Sequence, residues 1–261
     1  MNVGDLVKAM DEIAPRRLAP SWDNVGLLVG DPAMPLTRVL LAIDCTRGVL
    51  NEASHGGFEA LVAYHPVIFT PTKRFSSDSM AYLAARMALS VYCPHTSLDI
   101  APGGTNDVLA DVLGVQGRRP LSRGSSLSGE PAPSLGFGRV GEIDSVPLRE
   151  VVARLKRAVD ASHVLVAGSL DRAIRRVAVL AGSGGDFIED ALASGADLLV
   201  TGELRHHETL RAQAAGLAVV CTRHSVSERI ALAPLAKRLE QSLAGLFVAC
   251  SSSDRDPFEI C

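Results

Sequence analysis

Five of the seven histidines in this chain sit just beyond short apolar runs: His65 in VAYHP, His95 in YCPHTSLD, His206 and His207 in TGELRHHE, and His224 in VCTRHSVSE. Runs of that length read as buried strands, and in open α/β sheets ligands collect at the carboxyl ends of strands. Side chains distant in sequence can therefore converge on one crevice. Two of the segments add a carboxylate. Glu228 lies four residues after His224, so a helix starting near Ser225 sets the carboxylate one turn above the imidazole on the same side, where the pair can grip one ion or share two. His95 and Asp99 have the same spacing, but Pro102, Gly103 and Gly104 point to a loop for HTSLD. Imidazole with carboxylate suits zinc, manganese, iron or nickel alike. Each segment also has a plainer reading. A histidine after a strand is commonly a hydrogen-bonded or capping group, an H-x-x-x-E pair arises by chance, and His206 and His207 open an amphipathic segment that a solvated face explains. His55 and His163 lack the strand-end placement and are expected on the surface.

Residues 177–186 (VAVLAGSGGD) read as a strand, a glycine-rich turn and a helix N-terminus, where glycines let backbone N–H groups approach an anion. The alternative is a tight turn with Asp186 capping the helix. Without G-x-G-x-x-G spacing or a Walker lysine, the segment is neither a dinucleotide fingerprint nor a P-loop. Residues 21–31 (SWDNVGLLVGD) hold the only tryptophan beside Asp23 and Asn24, and read equally as a structural turn or a pocket wall. No nucleophile elbow is present.

The elements that must position these groups follow from periodicity. Val3, Leu6, Val7, Met10 and Ile13 recur at helical spacing, so the chain opens with a helix of about three turns. Residues 38–44, 61–64, 90–93, 177–181, 198–201 and 217–221 are short apolar runs, mostly followed by helix-like segments. That alternation predicts an α/β fold: two α/β domains with largely parallel sheets. Residues 116–141 break the rhythm with Gly, Ser, Pro and Arg and read as a linker or mobile loop, which sets domains at 1–125 and 126–261 with the final segment packing back on the first.

Composition narrows the class of partner. At 261 residues, with 47% hydrophobic and 21% charged residues, the chain has length and apolar content for a real core and is not a largely disordered one. The 26 basic residues against 29 acidic ones give a net charge of −3, and aromatics are only 4%, which disfavours a nucleic-acid binder. No apolar run reaches the roughly 20 residues of a membrane span, and residues 1–14 carry acids and bases rather than a signal-peptide pattern, so a cytosolic protein is expected. Cys45, Cys93, Cys221, Cys250 and Cys261 are odd in number and lack C-x-x-C spacing; they are expected as reduced core residues.

The segments SWDNVGLLVGD, AYHPVIF, HTSLDIAPGGTNDVLADVLG, VAVLAGSGGD, GADLLVTGELRHHE, RHSVSE and DRDPFE stand in the order and spacing of a known family. Over essentially its whole length the chain resembles the GTP cyclohydrolase I type 2 homologue family, also called NIF-three-like. The resemblance implies two α/β domains with a dinuclear metal-binding cleft between them, assembled as a ring-shaped hexamer built from dimers. The short span 138–176 implies that the extra domain inserted in some relatives is absent. The family's metal ligands fall on His65, Asp99, His224 and Glu228, with Glu228 shared by both ions. Tyr64 stands where relatives typically carry the first of two adjacent histidines. A neutral phenol, with a reference pKa of about 10, is a poor ligand. One tight ion on His65, Asp99 and Glu228, and a weaker second on His224 and Glu228, are therefore expected.

The implied function is metal-dependent, hydrolase-like chemistry on a nucleotide or similar phosphate-bearing small molecule, such as opening of the guanine ring of GTP by a metal-bound hydroxide. Glu228 and His224 would be the catalytic groups. Tyr64, His95, Gly182, Gly184, Gly185, His206 and His207 are the expected substrate-facing residues, the glycines through phosphate. The alternative is a non-catalytic ring-shaped scaffold or regulatory protein engaging a protein, metal or nucleic-acid partner. It is favoured by the loss of a ligand at Tyr64.

Overall fold

Helix formation begins at the second residue. The Asn2 side chain accepts from the Asp5 N–H, and the Asp5 carboxylate accepts from the Asn2 N–H, both at 3.0 Å. This reciprocal box satisfies two otherwise orphaned donors and starts a helix whose Val3, Leu6, Met10 and Ile13 are buried. The computed structural model describes residues 1–122 and 135–260. In chain order the elements are α1 (Val3–Ile13), β1 (Gly26–Val29), β2 (Arg38–Ala42), α2 (Arg47–His55), β3 (Ala60–Ala63), α3 (Met80–Arg86), β4 (Ser90–Cys93), α4 (His95–Ile100) and α5 (Thr105–Leu113). There follow β5 (Gln116–Arg119), β6 (Arg139–Pro147), α6 (Leu148–Ala158), β7 (Leu165–Ala167), β8 (Ala173–Ser183), α7 (Ile188–Ala193), β9 (Leu198–Glu203), α8 (His206–Ala214), β10 (Ala218–Cys221), α9 (His224–Arg229), α10 (Leu232–Ser242) and β11 (Phe247–Cys250).

The chain divides into two compact units, residues 1–98 with 232–261, and residues 99–231. In the first, a sheet runs β1-β4-β3-β2-β11, parallel except where β1 meets β4. Leu40, Leu61 and Val91 of this sheet pack with Val49, Leu50 and Ala53 of α2 and Leu83 of α3.

In the second unit a sheet runs β5-β6-β8-β9-β10-β7. Val177, Val179, Leu198, Val200 and Val220 face α5 and α6, while Ala178, Leu199 and Val219 pack with Ile188 and Ala212 of α7 and α8. Both faces are covered, which is why these strands read as unbroken apolar runs. Here the expectation of a largely parallel sheet fails: only β8–β9 and β9–β10 are parallel, and the other three pairings are antiparallel. The missed strands are ones whose apolar signal is weak. All four residues of the edge strand β5, QGRR, are exposed, and β7 has three residues.

The expected boundary at 125/126 lies outside the described residues, as do positions 123–134 of the expected linker. The unit division falls earlier, because α5 packs on β8 and α6, and β5 pairs with β6. The linker segment thus contains β5 and the start of β6. The final segment returns to the first unit, where β11 pairs in parallel with β2.

Among the described residues no helix is long and apolar enough to cross a membrane. Cys93 and Cys221 are buried free thiols and Cys45 is half-buried, but Cys250 is exposed and so is not a core residue; Cys261 lies outside the described residues.

Candidate metal centre

In the second unit, parallel pairing sets Thr201 of β9 beside Cys221 of β10. Glu203 ends β9 and His224 opens α9, so both side chains emerge at the same edge of the sheet. His224 Nδ1 lies 3.0 Å from Glu203 Oε1, and His224 Nε2 lies 3.1 Å from Glu228 Oε1, one helical turn on. Glu228 is buried and His224 half-buried. The hydrogen bond to Glu228 outweighs burial and, with Glu203 adding to it, pushes the His224 pKa up to about 9. The Ser227 hydroxyl donates to the His224 carbonyl at 2.7 Å and accepts the Gly182 N–H at 2.8 Å, tying α9 to the end of β8. Gly182 has φ of +72°, and a Cβ there would stand 2.9 Å from Glu228 Oε1 and 3.4 Å from His224 Nε2. Only glycine gives both that backbone and room for the two polar side chains. Arg223, just before α9, is held at φ +83°, a strained value for a residue with a side chain.

The first unit repeats the device. Ala42 of β2 pairs with Ala63 of β3, and two residues beyond each stand Asp44 and His65, whose Oδ1 and Nδ1 are 2.9 Å apart. His95 Nδ1 lies 2.7 Å from Asp23 Oδ1. Asp23 Oδ2 accepts the Thr96 N–H at 3.2 Å and also the Thr96 hydroxyl. Burial pushes the Asp23 carboxyl up, but the bonds from His95 and Thr96 outweigh it and hold its pKa below the ordinary carboxylate value. HTSLD is therefore helical, not a loop. Asp23 supplies an N-terminal acceptor from another segment, and Pro102–Gly104 end the helix rather than prevent it.

All five strand-end histidines stand where the sequence put them, and His55 and His163 are exposed. Asp44 and Glu203 carry no signal in the sequence and Asp23 stands there only in a turn or pocket wall, yet each of the three holds an Nδ1. A carboxylate on Nδ1 fixes the ring and leaves Nε2 for a ligand, the usual arrangement behind a metal-binding histidine. Within the second unit His224 and Glu228 offer an imidazole and a carboxylate as donors, and within the first unit His65 offers an imidazole. A divalent ion fits the pair in the second unit: the donors are an imidazole and a carboxylate, the imidazole is oriented by Glu203, and Gly182 keeps space open at His224 and Glu228. Asp99 is half-buried in α4, its carbonyl accepting from Asn106 Nδ2 at 3.0 Å.

The expected substrate-facing residues separate. His95 is partly exposed within a group of aromatic rings, whereas Tyr64 is 1% exposed, its ring meeting those of His65 and His95 edge-on, so it is an interior residue rather than a substrate contact. His206 and His207 are exposed on the first turn of α8 with their rings 5.2 Å apart. The glycine turn is no phosphate cradle. The Gly182 N–H is taken by Ser227 and the Gly184 N–H by the Glu203 carbonyl at 3.1 Å, and the space beside Gly185 is filled by the Glu208 carboxylate. Asp186 does not cap the helix that follows: α7 has no side-chain cap.

The Duf34/NIF3 (NGG1p interacting factor 3) family model matches residues 1–257. A GTP cyclohydrolase 1 type 2 homolog of Clostridium perfringens is 31% identical over 99% of both chains. The NGG1-interacting factor 3 of Saccharomyces cerevisiae is 34% identical over 98% of this chain and 96% of its own. Among solved structures, a Bacillus cereus protein related to NIF3 shares the fold with a TM-score of 0.92 at 22% identity, covering 100% of this chain and 99% of that one.

Proposed function

The chain belongs to the Duf34/NIF3 family, and on that premise we propose that it is a divalent-metal protein with hydrolase-like chemistry on a nucleotide or similar phosphate-bearing small molecule. The observation that carries the reading is the pairing of His224 with Glu228 at 3.1 Å, backed by Glu203 on the other ring nitrogen. His65, backed by Asp44, and Asp99 are the proposed further ligands, as the family resemblance implies. When bound, a divalent ion lowers the pKa of a coordinated water toward neutrality and polarises the group under attack. The protein's own residues do the rest. Glu203 and Asp44 hold their imidazoles through Nδ1, and in the metal-free protein Glu228 Oε1 holds the His224 Nε2 proton that a bound ion would displace.

The name of the Clostridium perfringens relative favours a nucleotide such as GTP as substrate. A second reading, a metal-binding scaffold without turnover, draws on the Saccharomyces cerevisiae relative's name as an interacting factor and on Tyr64. The proposal includes a cytosolic homo-oligomer, a hexamer built from dimers. The deciding experiment incubates native, chelator-treated and Glu228→Gln protein with GTP and a panel of nucleotides. Metal-dependent product from the native protein alone supports the hydrolase; none from any nucleotide, with metal bound, supports the scaffold.

A further inference from the structure

Nothing in the proposed metal chemistry uses residues 22–24, yet each is specifically placed. Trp22, the only tryptophan of the chain, is 58% exposed, and Phe69 is 52% exposed. Their ring centroids are 6.3 Å apart, and the His95 ring lies edge-on to both, 6.5 Å from Trp22 and 6.4 Å from Phe69. The Asp23 side chain is wholly buried and holds His95. Asn24 Nδ2 donates to the Ile68 carbonyl at 2.6 Å, fixing the residue before Phe69. So the three consecutive residues supply one aromatic wall, anchor the imidazole, and anchor the other wall.

Leaving two large aromatic rings in water forgoes the burial that normally stabilises such side chains. An aromatic pair beside an oriented polar group is the composition of a small-molecule site. The polar group is defined as well. An ionised carboxylate only accepts, so His95 Nδ1 donates to Asp23 and Nε2 is left as an acceptor in the neutral ring. We propose that Trp22, Phe69 and His95 form a subsite for a planar nitrogen heterocycle of the purine class. The ring lies against the two aromatic side chains and an N–H on its edge donates to His95 Nε2. The inference rests on the nucleotide reading and names the part of the substrate that the first unit holds. The His95 and His65 rings are 5.6 Å apart, which places the heterocycle beside one proposed metal ligand.

The single tryptophan makes the subsite directly observable. Chelator-treated full-length protein is titrated with guanosine and, separately, with ribose 5-phosphate, following Trp22 emission with excitation at the red edge where purines do not absorb. Saturable quenching by guanosine and none by ribose 5-phosphate is expected. Phe69→Ala, a change at an exposed side chain, should weaken guanosine roughly tenfold, as loss of one stacking partner does. His95→Phe should weaken it by a similar factor while keeping a ring in place, with folding checked by circular dichroism. Should His95→Phe fail to fold, Phe69→Ala still decides. Guanosine binding without nucleotide turnover removes the hydrolase and leaves this subsite standing, and turnover without guanosine binding does the reverse. The proposal is overturned by absent quenching, by quenching unchanged in Phe69→Ala, or by Trp22 emission that depends on protein concentration alone, which would mean that a second copy covers the rings.

Discussion

Two six-residue helices start on a histidine and carry a carboxylate four residues later: α4 with His95 and Asp99, and α9 with His224 and Glu228. Both follow the end of a buried parallel strand, and both are entered through a strained residue, His95 itself at φ +31° and Arg223 at φ +83°. Their wiring differs. In α9 the neighbouring strand's Glu203 takes Nδ1, so Nε2 turns toward the helix's own Glu228. In α4 the carboxylate on Nδ1 is Asp23, from a loop 72 residues earlier, which also accepts the first free N–H of the helix. Identical spacing therefore makes an ion-gripping pair in one place and an anchored imidazole among aromatic rings in the other. What surrounds the other ring nitrogen decides the chemistry, and i,i+4 spacing alone does not.

The largest expected effect separates the two helices outright. Glu228→Gln keeps size but removes the charge, and should abolish stoichiometric metal binding, measured by elemental analysis after dialysis. His95→Gln should leave metal content native. Equal loss in both would show that α4 is also a metal-gripping helix and end the contrast. Tyr64→His works from the other side. About one ion per chain is expected in the native protein, and a second after this substitution restores a neutral nitrogen donor. Two equally tight ions in the native protein would mean that another group already completes the site.

Next come the carboxylates behind the rings. Glu203→Gln and Asp44→Asn should each lower metal affinity by about 10–100-fold, the usual cost of losing a carboxylate behind a ligating histidine. Asp23→Asn should not change it. Isothermal titration of the three variants ranks them, and a drop for Asp23→Asn comparable to the others would move His95 into the metal site.

These three carboxylates also mark where the sequence stops being readable. The His224–Glu228 pair was legible because its geometry is local, set by one turn of helix. Asp44 meets His65, and Glu203 meets His224, only because β2 lies beside β3 and β9 beside β10, and strand order is not written in any single segment. The strands β2, β3, β4, β8, β9 and β10 were legible because covering layers give each a buried apolar run, whereas β5 is exposed at every position. The glycine turn misled because glycine serves close approach as well as anion binding; here it makes room for Glu228 and Thr201.

Proton linkage gives a smaller, graded effect confined to α9. A metal must displace the proton that His224 holds below a pKa of about 9, so apparent affinity should climb with pH, at most tenfold per unit, and level off near that value. In the metal-free protein the same shift acts on stability. The folded pKa is raised above the reference of 6.5, so the contribution is fully present below pH 6.5 and lost as pH rises through about 9. Denaturant titrations across that window should show the loss. Glu203→Gln should move both transitions to lower pH, because one of the two carboxylates that raise the pKa is gone. His95→Gln should move neither.

The smallest expected effect is on how α4 is held. Asp23→Ala removes the acceptor of both the His95 Nδ1–H and the Thr96 N–H, at a place where Thr96 is buried. A lost helix cap costs about 1 kcal/mol, and a buried donor left unsatisfied about 1–3 kcal/mol. A destabilisation of about 2 kcal/mol is expected, read as a lower denaturation midpoint at unchanged slope. Asp23→Asn keeps one carbonyl oxygen and should recover roughly half of it. For α9 no equivalent substitution exists, because among the described residues no side chain caps its N-terminus: the chain enters through Arg223, whose N–H donates to the Gly202 carbonyl at 2.8 Å. If Asp23→Ala is as stable as the native protein, the His95 ring is positioned by its aromatic neighbours rather than by the buried carboxylate, and α4 forms without its cap.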